Sequence, residues 1–171
     1  MTETAHPSPA QGKTTKDGLR LIVHADDFGL SERVNDGVVD AHLNGILTST
    51  SIMACAPAFG HAVTLAKATP SLDIGVHLTL IEERPLTDPA KVPSLVDETG
   101  HFHKHIIVFA KRYFRGLINP EEVRLELDAQ ITRIREAGLE ISHLDSHQHV
   151  HMLPGILKVA QDLGAKHGIA P

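Results

Sequence analysis

Residues 19–43 read LRLIVHADDFGLSERVNDGVVDAHL, and the change of character along that stretch decides the fold. Residues 19–25 (LRLIVHA) are a short, mostly apolar run after a polar stretch, which predicts a strand buried on both faces. The run stops at Asp26-Asp27-Phe28-Gly29, a turn-forming cluster. Ser31 then caps a helix whose apolar positions Val34, Val38 and Leu43 recur at helical spacing and end near Asn44-Gly45.

The same alternation continues downstream. Residues 48–56 (TSTSIMACA) predict a second strand, followed by a short helix through Ala62, Leu65 and Ala66 that ends before Pro70. Residues 72–80 (LDIGVHLTL) predict the third strand. A long connection over residues 81–105 follows, with Pro85, Pro89, Pro93 and Gly100; connections of this length inside a compact domain are usually functional. Residues 106–114 suit a short helix. The clearest helix opens with Asn119 as cap and Pro120 as first residue, and runs through Val123, Leu127, Ile131 and Ile134 to Gly138. Residues 141–145 predict a fourth strand that runs into Ser146-His147-Gln148-His149-Val150-His151, and Pro154 opens a last helix through Ile156, Val159 and Leu163. This order predicts an α/β fold with a parallel sheet and helical crossovers.

At 171 residues, with 42% hydrophobic and 22% charged residues, the chain suits one soluble globular domain with a real core. A net charge of -5 argues against nucleic acid as a partner, since neutralising phosphates takes clustered Lys and Arg. No stretch has the apolar length of a transmembrane segment. Residues 1–18 have no apolar segment of the signal-peptide kind and read as a disordered tail, with the folded domain over residues 19–171. The one cysteine, Cys55, reads as a small buried hydrophobe and fits a reducing, cytoplasmic location. Thirteen histidines against one tyrosine and no tryptophan are unusual, and their positions carry the functional argument.

Three polar clusters fall at the C-terminal ends of predicted strands: Asp26-Asp27, His77 and the run beginning at His147. In parallel α/β folds that edge opens onto one crevice, so residues distant in sequence converge there. A catalytic divalent cation commonly takes three His or carboxylate ligands and keeps a position for water, whose pKa it lowers towards neutrality. A further carboxylate beside it can accept the water's proton. Asp26 and Asp27 suit that division of labour if the Phe28-Gly29 turn aims both into the crevice, because successive side chains in a regular strand point to opposite faces. Each piece also has a structural reading: Asp-Asp-Phe-Gly as a strand end and turn, His77 as a satisfied core histidine, His147 to His151 as a solvated loop. Asp145 and His143 suit roles behind the ligands, where a carboxylate orients an imidazole. His101, His103 and His105 read as a solvated or substrate-facing loop.

The segments LIVHADDFGLSERVNDGV, NGILTSTSIMACAPAF, LDIGVHLTL and ISHLDSHQHVHMLPGI resemble the YdjC-like (ChbG-type) carbohydrate deacetylases, and within them the hopanoid-biosynthesis-associated HpnK group. The resemblance runs from about Leu19 to about Gly168. It implies a distorted (β/α)-barrel of the TIM-barrel kind, related to polysaccharide deacetylases, and metal-dependent removal of acetyl groups from N-acetylated sugars or glycolipids, hopanoid-linked N-acetylglucosamine among them. Carried over position by position, it implies Asp27, His77 and His147 as metal ligands and Asp26 as the catalytic base. The family's cation is usually given as magnesium, whereas two imidazole ligands favour zinc or a transition-metal neighbour. The 149/151 histidine pair is the candidate general acid. A closed barrel of this kind needs about 250 residues, so the chain is expected to carry the N-terminal part of one, with open edges that favour a homo-oligomer. Competing readings are a metal-dependent phosphoesterase or amidohydrolase on a similar barrel, and a truncated, inactive metal-binding protein.

Overall fold

A computed structural model describes residues 20–169; the expected tail over residues 1–18 lies outside them. Strands β1 (His24–Phe28), β2 (Ser49–Ile52), β3 (Asp73–Leu78) and β4 (Leu144–Ser146) form one sheet in the order β1-β2-β3-β4, every neighbouring pair parallel. Helices α1 (Glu32–Leu43), α2 (Phe59–Ala68), α3 (Ile106–Phe114), α4 (Pro120–Glu136) and α5 (Pro154–His167) fill the connections. Each strand pairs with the next in sequence. That is the winding of a (β/α)-barrel, not of a doubly wound sheet with its reversal of strand order. Among the described residues β1 and β4 are free edges, so the sheet is an open part of such a barrel and does not close.

The helix signals act as the sequence predicts. Ser31 Oγ accepts from Val34 N at 3.2 Å to start α1, and Asn119 Oδ1 accepts from Glu121 N at 3.0 Å ahead of Pro120. Strand alternation sorts β2 and β3: Ile52, Ile74, Val76 and Leu78 join Val38, Ala62, Leu127, Ile131, Val159 and Leu163 in one core. Ser49, Ser51, Asp73, Gly75 and His77 occupy the opposite register positions.

β1 departs from the expected strand over residues 19–25. Leu21 and Ile22 are 59% and 74% exposed, and the strand begins at His24 and continues through both aspartates. Pairing sets this boundary. Val23 O accepts from Thr48 N and Ser49 N, and His24 lies opposite Ser49, where β2 starts. The apolar run therefore precedes the strand and is not buried on both faces. On that side lies an open cavity of about 310 Å³ lined by Ile22, His24, Ser49, Asp73, Ser142, His143 and Asp145.

The connection over residues 81–105 is pinned by a few buried apolar side chains, while Lys104 and His105 of the HFHKH segment stay exposed. Ile81, Val92, Leu95 and Phe102 are fully buried, and Phe102 N donates to Glu83 O while Glu82 N donates to His103 O. α4 anchors it from below. Buried Glu126 accepts from Leu86 N at 3.0 Å and Thr87 N at 2.9 Å, and buried Gln130 clamps Thr79 through its backbone N and O at 2.9 and 2.7 Å. The HFHKH segment is thus a brace for residues 82–84. No helix among the described residues is long and apolar enough to cross a membrane.

Candidate metal centre

Asp26 and Asp27 reach the same space through a β-bulge. Ala25 pairs with Thr50, but the next pairing is Phe28 with Ile52, so β1 spends three steps where β2 spends two. The extra residue is absorbed by Asp27, whose φ is 62°, in the left-handed region that few non-glycine residues adopt. The bulge, inside the strand, does the aiming that sequence alone could assign only to the Phe28-Gly29 turn. Gly29 closes the turn behind it with φ 110°, donating its N–H to buried Asn35 Oδ1 at 2.6 Å.

At the end of β3, His77 is 2% exposed. Its Nδ1–H donates to Asp145 Oδ1 at 2.8 Å, and Ser51 Oγ donates to Asp145 Oδ2 at 2.8 Å. This fixes the tautomer and leaves the Nε2 lone pair facing the crevice. Burial works against ionisation of Asp145, but hydrogen bonds from His24, His77 and Ser51 outweigh it and hold the carboxyl well below the usual carboxylate range. His147 follows β4 directly and opens a short 3-10 segment (His147–Met152). There Gln148 and His149 turn the chain with φ values of 48° and 56°.

Asp27 Oδ1, His77 Nε2 and His147 Nδ1 converge. The separations are 2.9 Å from Asp27 to His147, 3.3 Å from Asp27 to His77, and 3.4 Å between the two imidazoles. Donors about 2.1 Å from a shared ion stand roughly 3.0–3.4 Å apart in octahedral or tetrahedral arrangements, so the three residues fit one cation. Asp26 comes within ligand distance of His77 and Asp145 beside them, and its side chain is 53% exposed.

Sequence reasoning missed three participants. Glu82, at φ 70°, places Oε2 3.1 Å from His147 Nε2 and accepts from Gln148 Nε2 at 2.8 Å. The hydrogen bond with His147 lowers the Glu82 pKa, whereas burial raises that of neighbouring Glu83. With Nε2–H given to Glu82, His147 presents its Nδ1 lone pair to the ligand space. His24 is the second, packed between Asp26 and Asp145; its hydrogen bond with Asp145 raises its pKa despite partial burial. Ser51 is the third. His24 was legible as the residue two places before Asp26, on the same strand face; Glu82 gave no signal, because its place depends on an unusual backbone angle.

The other predicted residues lie further out. His149 is exposed and meets His151 edge to face, and His151 Nδ1 lies 2.6 Å from Ser146 Oγ. His143 packs its ring over Gly75, where any side chain would collide with it. Part of the histidine excess is structural: His42 bonds Leu47 O and Ser71 Oγ at 2.8 Å each, and His167 bonds Asp128 at 2.6 Å. Desolvation pushes the Cys55 thiol up to about 12, which keeps it protonated and unsuited to nucleophilic attack. All four non-glycine residues with positive φ among the described residues, Asp27, Glu82, Gln148 and His149, belong to this one rim.

A parallel α/β sheet whose strand ends gather one carboxylate and two imidazoles around a common point is an arrangement able to hold a divalent cation on a barrel-type scaffold. Residues 20–171 match the model of the YdjC-like protein family, and the chain belongs to that family. It is 42% identical over 154 residues to a carbohydrate deacetylase of Brevibacillus brevis, covering 88% of this chain and 58% of that protein. It is 39% identical over 151 residues to a carbohydrate deacetylase of Vibrio cholerae, covering 88% and 57% respectively. A crystal structure of a candidate cellobiose-phosphate cleavage protein from Enterococcus faecalis V583 superposes with a TM-score of 0.78 at 39% identity, over 86% of this chain and 56% of that one. The chain thus spans less than three fifths of the length of these relatives.

Proposed function

We infer that the protein is a metal-dependent carbohydrate deacetylase that hydrolyses the acetamide of an N-acetylated sugar. The observation that carries this reading is the convergence of Asp27 Oδ1, His77 Nε2 and His147 Nδ1 beside a further carboxylate, Asp26, in a chain about 40% identical to carbohydrate deacetylases. Those three residues would hold a divalent cation, which would supply Lewis acidity towards the acetyl carbonyl and the attacking water. Asp26 takes the proton of the attacking water, whose oxygen bonds to the acetyl carbon. The C–N bond then breaks, and acetate and the free amine leave. The His149–His151 pair is assigned the proton that the departing amine takes up. Asp145 holds His77 in its ligand tautomer, and Glu82 does the same for His147.

Two imidazole donors support zinc or a transition-metal neighbour over the magnesium expected from family resemblance. The substrate class is an N-acetylated oligosaccharide or glycolipid; resemblance to the HpnK group supports a hopanoid-linked N-acetylglucosamine as one member. The single cysteine fits a cytoplasmic setting. The test is to measure bound metal and acetate release from N-acetylglucosamine oligomers. One equivalent of metal and acetate release are expected, with Asp27→Asn and His147→Ala each losing the metal. Stoichiometric metal in both variants would overturn the site.

A further inference from the structure

Asp26 has a partner for which the reaction scheme gives no task. His24 precedes it by two positions on β1, and the two side chains meet on one face of the strand. His24 Nε2 lies 3.4 Å from Asp26 Oδ1, 3.3 Å from Asp145 Oδ2 and 3.1 Å from Ser51 Oγ. Its Nδ1 lies 3.1 Å from Ser49 Oγ. The ring is therefore held at both nitrogens, between the carboxylate that orients His77 and the one assigned as proton acceptor. Among the described residues His24 is the ionic partner of Asp26, whose side chain is otherwise half in solvent. An exposed carboxylate without such a tether samples several rotamers, and a misplacement of about 1 Å can cost on the order of 100-fold in rate.

We propose that His24 is the positioning residue for Asp26: its Nε2 edge, in ion-pair contact with the carboxylate, holds it at the rim and, through the shared contact with Asp145, aligns the proton acceptor with the ligand His77. The kinetic consequence rests on the deacetylase reading; the structural consequence does not. The polar environment of the ring is acidic on the strands packed around it: Asp26 on its own strand, Asp73 on β3 and Asp145 on β4, with His143 the neighbouring imidazole. A tether between a nitrogen donor and two carboxylates suits that surrounding.

The experiment compares His24→Ala, His24→Gln, Asp26→Asn and the His24→Ala/Asp26→Asn double variant, using the metal-loaded protein and an N-acetylglucosamine oligomer. His24→Ala is expected to lower kcat about 10- to 100-fold with KM and bound metal unchanged. His24→Gln, whose amide N–H can reach the same carboxylate, is expected to recover most of that loss. In the Asp26→Asn background, His24→Ala should change kcat by no more than about twofold, because nothing remains to be positioned. Equal losses in the two backgrounds, or wild-type kcat in His24→Ala, would overturn the proposal. A crystal structure of His24→Ala supplies the readout that needs no turnover: the Asp26 carboxylate is expected to leave its place beside residue 24. Finding it unmoved overturns the tether even if no sugar is hydrolysed, whereas a wild-type protein that binds metal and hydrolyses nothing sinks only the deacetylase reading.

Discussion

On the helix-facing side of the sheet, Ile52, Ile74, Val76 and Leu78 are buried among apolar side chains from the helices, whereas on the other side the same strands present Ser51, Asp73, Gly75 and His77. Period-two alternation makes both faces from one stretch of chain. The first face is held by apolar area removed from water, which is non-directional and tolerates changes of shape that keep volume. The second is held by counted partners: Ser51 on Asp145, Asp145 on His77, Ser49 on His24 and on Asp73. A polar group there that loses its partner loses its orientation as well. Stability should therefore live on one face and chemistry on the other, and mutations can separate them.

The largest effect is expected on the polar face. Asp26→Asn should lower kcat by about 10²- to 10⁴-fold while bound metal stays stoichiometric, read by acetate release and elemental analysis. On the apolar face, Ile52→Ala should cost about 2–5 kcal/mol of unfolding free energy in urea, with metal affinity unchanged. A matching loss of metal affinity would break the separation of faces. Asp145→Ala removes the acceptor that fixes the His77 tautomer and should weaken metal binding about 10- to 100-fold by competition titration.

The smallest effect lies away from both faces, at Asp128 on α4. Burial disfavours its charge, but Lys166 at 2.7 Å and His167 at 2.6 Å overcome that and lower its pKa. A depressed folded pKa means that the contribution is present above the unfolded value and is lost as pH falls through the folded one. Asp128→Asn should cost about 1 kcal/mol at pH 7, with the gap from wild type closing below about pH 4.

Much of this was legible beforehand. Asn119-Pro120 and Gly138 bracket α4, Ser31 and Asn44 bracket α1, and the strand ends bring Asp27, His77 and His147 to one point. Side-chain chemistry at chain ends and periodicity are local signals, and they survive folding. What escaped depends on distant partners. The start of β1 follows from where β2 begins, so the apolar residues 21–22 misplace it. Glu126 and Gln130 look like solvated helix positions, yet they are fully buried because β3 and the connection after it offer backbone groups to bond. Glu82 meets His147 only through a backbone angle that no composition announces.

The left-handed quartet at the rim bears on any attempt to transplant it. Asp27, Glu82, Gln148 and His149 each sit in a conformation that costs an ordinary residue on the order of 1 kcal/mol, and the surrounding packing has to hold them there. Grafting the same side chains onto another parallel sheet with relaxed strands would aim them elsewhere. The torsions, and the bulge that hosts the first of them, would have to travel with the donors.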